Sequence, residues 1–142
     1  MAKAVVESGE FAGWSYWDTD PFEYEAAGPF YFRKEDGVPV SAFRVAHKHL
    51  NGHDIVHGGC LLSFADFALF SIALDALGED GGVTVSLNSE FLHGVGEGAF
   101  MEARGDVLRA GGSLIFVRGI ITGDGVPCLN FSGTIKRLRK RG

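Results

Sequence analysis

The spacing of apolar and polar residues changes three times along the chain. Residues 1–27 hold no sustained period. Their aromatic cluster "GWSYWDTDPFEY" predicts an irregular or weakly helical segment packed on the body as a cap or pocket wall. The run "PFYFRKEDGVPVSAFRVAHKHLN" then predicts two short strands about the turn "KEDG". His47 and His49 fall at the end of the second strand, on one face by its period of two. From Gly58 to Leu77 the spacing becomes helical, through Leu61, Leu62, Ala65, Leu69, Ile72, Ala73 and Ala76. Phe64, Phe67 and Phe70 fill further positions, and a helix so apolar is buried on most sides. Gly78 is the expected C-cap. Four strand-like runs follow, at 83–92, 98–110, 113–122 and 127–139. The short "GG" and "GDG" links between the last three suit antiparallel hairpins.

Two strands, one long helix and four strands make an α+β pattern. The helix must lie across a curled antiparallel sheet of about six strands, since nothing else is available to bury it. At 142 residues, without repeats or a linker, the expectation is an aromatic N-terminal segment (1–27) and one domain (28–142). The 46% hydrophobic and 22% charged composition, with twelve Phe, excludes a disordered chain. A net charge of −5 argues against nucleic acid as partner, and the basic tail "KRLRKRG" reads as a solvated strand end. Cys60 and Cys128 stand alone, with no CxxC or disulfide framework, and Cys60 reads as a small core residue. The first residues show no apolar signal region, so a cytoplasmic location is expected. Asp66, Ser71 and Asp75 interrupt the apolar run 58–78, which favours a buried helix over a membrane span.

The chemistry concentrates where the helix begins. "HGG" places Gly58 and Gly59 in the first turn, whose N–H groups lack intrahelical acceptors. Those donors and the helix dipole favour a developing negative charge, as an oxyanion hole does, though glycines also start helices for steric reasons. Asp66 is a carboxylate within the apolar run. It either bonds to a neighbouring group or serves as general base or nucleophile. Eight residues separate Gly58 from Asp66, about 12 Å along one helix, so one carbonyl cannot touch both. If both serve one reaction, the acid comes from another subunit, and a two-fold dimer would hold two such composite sites. His57 reads as orienting the carbonyl or its loop, and Asn51 as fixing the loop or bonding a ligand. His47, His49 and His53 read as polar loop residues. No HExxH, Cys or second acid at ligand spacing accompanies them, so no metal is expected. Nucleophile-elbow, Walker and dinucleotide patterns are absent.

"NGHDIVHGGCLLSFAD" resembles the hotdog-fold acyl-CoA thioesterases of the phenylacetate-pathway and mammalian thioesterase-superfamily type, relatives of 4-hydroxybenzoyl-CoA thioesterase. Their pattern maps onto Asn51, His57, Gly58, Gly59 and Asp66, and the order of elements matches from about residue 28 to 139. The resemblance implies hydrolysis of an acyl- or aryl-CoA thioester by a homodimer, often doubled to a homotetramer, with sites at the subunit interface. The Gly58 amide would polarise the carbonyl, His57 and Asn51 would position thioester or water, and the partner's Asp66 would be base or nucleophile. Thr84 supplies the hydroxyl that the family places early in its third strand. Gly94 stands where some relatives have proline, and the N-terminal segment has no counterpart in the pattern. Coenzyme A enters as part of the substrate, and no separate cofactor is implied. Its phosphates would need cations, for which Arg104, Arg109, Arg118, Lys136 and Arg137 are candidates. Gly59, Phe64, Phe67 and Phe91 are candidates for the acyl side. A non-catalytic acyl-CoA sensor would keep the fold without needing Asp66, and the HGG…Asp spacing disfavours a hydratase or dehydratase.

Overall fold

One antiparallel sheet bends around one helix in the computed structural model, which describes residues 3–140. The last two residues of the basic tail, Arg141 and Gly142, lie outside the described residues, as do Met1 and Ala2. The elements run β1 (Ala4–Val5), β2 (Ser15–Tyr16), β3 (Tyr31–Glu35), β4 (Val38–Arg44), α1 (Gly58–Ile72), α2 (Leu74–Leu77), β5 (Gly81–Phe91), β6 (Phe100–Ala110), β7 (Leu114–Gly123) and β8 (Val126–Leu138). The spatial order is β1-β2-β3-β4-β6-β7-β8-β5. The helix thus carries the chain from β4 to the far edge, and three hairpin-linked strands fill the space between. Asp36–Gly37 and Asp124–Gly125 turn two of the hairpins, all four residues at positive φ. That is the conformation a two-residue hairpin loop demands.

The eight strands exceed the expected six because the N-terminal segment joins the sheet. Ala4 pairs with Tyr16, and Ser15 with Phe32, so β1 and β2 extend the β3 edge. The loop between them folds over the sheet face opposite the helix. There Phe11 and Trp14 bury Val40 and Ala42 in a second, smaller core. Phe11 stacks on Tyr31 at 4.3 Å, and the Arg33 guanidinium lies 4.2 Å over Trp14. After β2 the chain crosses to the helix side, where Trp17 stacks on Phe32 and tilts against Phe67. A single π-helical turn, Pro21–Ala26, follows with Asp20 as its N-cap. The segment is therefore a wall, as its aromatics suggest, but an ordered one rather than an irregular one.

Two other expectations change. The apolar run is not one helix to Leu77. Ala73 leaves helical geometry at ψ 4°, and α2 adds one turn before Gly78 at φ 62°. His47 and His49 do not share a strand face, because β4 stops at Arg44 and they form a 3₁₀ turn. His47 is exposed near Glu97, whereas His49 is buried. The main core lies between α1 and the sheet. Phe64, Ala65, Phe67, Ala68, Leu69 and Ile72 face Phe43, Met101, Ile115, Val117, Leu129 and Ile135. No helix among the described residues is long and apolar enough to cross a membrane.

The seat of α1 depends on Gly133. A Cβ there would stand 2.5 Å from Leu69 Cδ1 and 3.0 Å from the Ser86 carbonyl. Leu69 is fully buried and has nowhere to move. Gly133→Ala is expected to cost about 1–3 kcal/mol by overpacking, read from urea or guanidinium unfolding.

His49 ties the loop before α1 to the N-terminal segment. Its Nδ1 accepts from the Ala46 N–H at 2.9 Å, and its Nε2 reaches the Ala27 carbonyl at 2.7 Å. Only the neutral imidazole with its proton on Nε2 makes both bonds. Burial holds its pKa below the ordinary 6.5, outweighing the Ala27 bond that favours the charged form. A depressed folded-state pKa means stability is full above about pH 6.5 and is lost as pH falls through the folded value. Unfolding curves should therefore weaken below about pH 6.5, and the same series on His49→Gln should be flatter.

Candidate active site

α1 is buried on most sides, but one stripe stays open. Beyond the first turn, where Gly58, Gly59 and Cys60 are all at least part-exposed, Leu62, Ser63, Asp66 and Phe70 are the part-exposed positions, recurring at helical spacing. The acid in the apolar run is therefore not within the core. It sits on the stripe the sheet does not cover, and this removes the desolvation conflict that its neighbours in sequence suggest.

At the head of that stripe, His57 is the N-cap, and its Nδ1 accepts from the Gly59 N–H at 2.8 Å. This bond leaves the neutral ring with its proton on Nε2. The Cys60 and Leu61 amides turn back onto the His57 carbonyl. The Gly58 N–H finds no acceptor among the described residues. Of the two glycine amides, Gly59 is occupied by its own chain and Gly58 is open to a ligand. The Phe91 ring lies against Gly58, with ring carbons 3.2 and 3.3 Å from where a Cβ would stand. A groove of about 530 Å³ opens beside the helix start, walled by Phe22, Ala27, Lys48, Leu50, His57 and Cys60 among others. Burial raises the Cys60 thiol to about 11, so it is inert rather than nucleophilic.

About two turns along the helix, Thr84 Oγ1 donates to Asp66 Oδ1 at 2.5 Å. Thr84 comes from β5, so the sheet edge holds one oxygen of the helix's carboxylate. The second oxygen has no hydrogen-bond partner among the described residues. Asp66 opens on a separate cleft of about 270 Å³, floored by Trp17, Phe70 and Val83.

The structure brings His57, Gly58, Gly59 and Phe91 together at the helix start, and Asp66 with Thr84 farther along. It does not unite the two groups within one chain. Asn51 orders its loop, its Oδ1 accepting from the His53 and Ile55 amides at 2.8 and 3.3 Å. Phe64 and Phe67 are 0% and 1% exposed inside the aromatic core, so they present no wall to a ligand. Arg104 lies on the sheet face away from α1 and is paired with Glu35 and Glu102. Arg137 is half-buried, donating to the Ala76 and Gly111 carbonyls, and Arg118 pairs with Asp106. Arg109 and Lys136 are exposed strand residues.

Two residues in the Asp66 cleft escaped the reading of the sequence. Asp20 and Glu23 line it from the N-terminal turn, and Asp20 accepts from the Glu23 N–H at 2.9 Å. Glu23 has its carboxyl pushed up to about 8, first by burial and then by the charges of Asp20 and Asp66. "DPFE" carried the signal for the turn: an Asp cap, Pro at the first position and an acid three residues after the cap.

The thioesterase superfamily model matches residues 53–127, which include the glycine pair, Asp66 and Thr84. A comparison with curated proteins gives no match. Among solved structures, protein TT0310 of Thermus thermophilus is 32% identical, covering 84% of this chain and 98% of its own, with a TM-score of 0.71. A mutant form of the phenylacetic acid degradation protein PaaI from the same organism is 31% identical over 84% and 100%, also at 0.71. Protein BH2602 of Bacillus halodurans, solved with CoA, is 25% identical over 78% and 74%, at 0.70. A sheet curled around one central helix, an HGG start to that helix and a matching family model lead to one assignment: the chain belongs to the thioesterase superfamily, as a hotdog-fold hydrolase of thioester bonds of the PaaI type.

Proposed function

We propose that the chain hydrolyses an acyl- or aryl-CoA thioester at sites shared between two copies. The observation that carries this is the single rigid helix with an open Gly58 amide at its start and the Thr84-held Asp66 eight residues on. A separation of about 12 Å along that helix is too long for one carbonyl, so a partner helix running alongside must supply the acid. The thioester carbonyl accepts from Gly58 N–H, and the helix dipole supports the oxyanion as it forms. His57 holds the Gly59 amide through Nδ1 and lines the groove at the helix start. Asp66 of the partner subunit takes a proton from water as the oxygen attacks, or attacks the carbonyl itself to form an anhydride that water then hydrolyses to the free acid and the restored carboxylate. On either route the C–S bond breaks and the thiolate takes up a proton to leave as free CoA. The ligand class is supported by the relative solved with CoA, and an aryl acid by the phenylacetic acid degradation protein.

The expected outcome with a panel of acyl-CoAs and a thiol reagent is CoA release that Asp66→Ala abolishes. Binding without release would instead make the chain an acyl-CoA sensor. Thr84→Val should leave the fold intact and lower kcat by about tenfold to a hundredfold, because the acid loses its fixed orientation. Gly58 occupies the first helical position, where proline is tolerated; the substitution removes the N–H and asks the exposed Phe91 ring, 3.2 Å from the new Cβ, to give by a few tenths of an ångström. Gly58→Pro should therefore cost about a hundredfold to a thousandfold in kcat. Refolding Gly58→Pro and Asp66→Ala together should restore about a quarter of the wild-type rate, since half of the dimers carry one intact composite site. No restoration would place both groups of a site in one subunit.

A further inference from the structure

The Asp66 cleft holds a second carboxyl that the proposed hydrolysis does not use. The Asp20-capped turn Pro21–Ala26 places Glu23 there, between Trp17 and the open stripe of α1. The charged groups lining the cleft are Asp20 and Glu23 from the N-terminal segment and Asp66 from α1. β5 contributes only Gly82, Val83 and Thr84, so no cation lines the cleft among the described residues. Three ionised carboxylates cannot share such a cleft without strong mutual repulsion. The cheapest arrangement protonates one of them, and Glu23, part-buried and facing the charges of both Asp20 and Asp66, is the one pushed up. It carries its proton beside Asp20, while Asp66 is held by Thr84.

We propose that Glu23 is a positioning residue for the hydrolysis: as a neutral acid it keeps Asp66 the working carboxylate of its cleft, and its ionisation switches the reaction off. The inference rests on the reading of Asp66 as the carboxylate of the reaction. When Glu23 loses its proton near pH 8, a further negative charge arrives beside Asp66. That charge opposes a transition state which is itself becoming an oxyanion. It also repels Asp20 and loosens the turn that walls the cleft. A neutral acid and a carboxyl held by Thr84 in one cleft divide one task between them, and the N-terminal segment supplies the member that the family's pattern lacks.

The test compares pH profiles of kcat for CoA release, corrected for spontaneous hydrolysis. One ionisation near 8 predicts a fall of about tenfold between about pH 7 and 9 in the wild type. In Glu23→Gln, which is neutral at every pH, the same ratio should shrink to within about twofold. A fall that persists unchanged in Glu23→Gln overturns the inference. A second readout needs no turnover. The carboxyl carbon of Glu23, followed by NMR in the full chain, should titrate near 8 and move to lower pH in Asp66→Asn. Titration in the ordinary carboxylate range, or a midpoint indifferent to Asp66→Asn, overturns it as well. Full turnover by Asp66→Ala would sink the underlying reading of Asp66, which these two measurements keep apart from the behaviour of Glu23.

Discussion

The seating of α1 in the curved sheet is the constraint on which the rest depends. Gly133 lets Leu69 sink against β8, and Gly82 lets Phe70 and Ile135 approach β5 closely. With those contacts made, the helix has one rotational setting, and the open stripe follows from it. Gly59, Ser63 and Asp66 face outward because Phe64, Ala68 and Leu69 face inward. An α-helix does not stretch, so the distance between its amide terminus and its carboxylate is fixed by its rise. The placement of the Gly58 amide and the Asp66 carboxyl is thus set by packing on the far side of the helix.

The N-terminal segment acts on both faces of the sheet. Phe11 and Trp14 close the outer face over Val40 and Ala42, and Trp17 anchors the crossing to the helix side. From there the turn Pro21–Ala26 walls the groove at the helix start with Phe22 and the Asp66 cleft with Glu23. Lys48 Nζ donates to the Ala26 and Gly28 carbonyls at 3.1 and 2.5 Å, and His49 bonds Ala27. The loop that presents His57 is therefore tied to the segment that presents Glu23. Charge in the cleft and order at the helix start are connected through a few hydrogen bonds.

The cations show the opposite case. An arginine on a strand looks available in sequence, but alternation sends Arg104 and Arg118 to the outer face, where acids neutralise them. Arg137 alternates too, yet it is consumed by the carbonyls at the end of α2. Which arginines remain free is a property of neighbours far away in the chain.

Periodicity determined much on its own. Strand and helix periods differ enough that the element order, the hairpins at Asp124–Gly125 and Asp36–Gly37, and the long apolar helix are all legible in the chain. "HGG" marks its own helix start because glycines and a capping histidine act locally. The helical rise turns the eight-residue gap into a distance of about 12 Å, so the separation of Gly58 from Asp66 is legible in the sequence as well. Tertiary structure alone decided the rest, since burial and pairing depend on residues remote in sequence. It put Phe64 and Phe67 in the core and Phe91 at Gly58, although all three look alike in the chain. It buried His49 and exposed His47, two residues apart, because Ala27 offers an acceptor to only one of them. And it carried Glu23 to Asp66, because the crossing of the N-terminal segment is set by aromatic packing on both faces of the sheet, which no local pattern encodes.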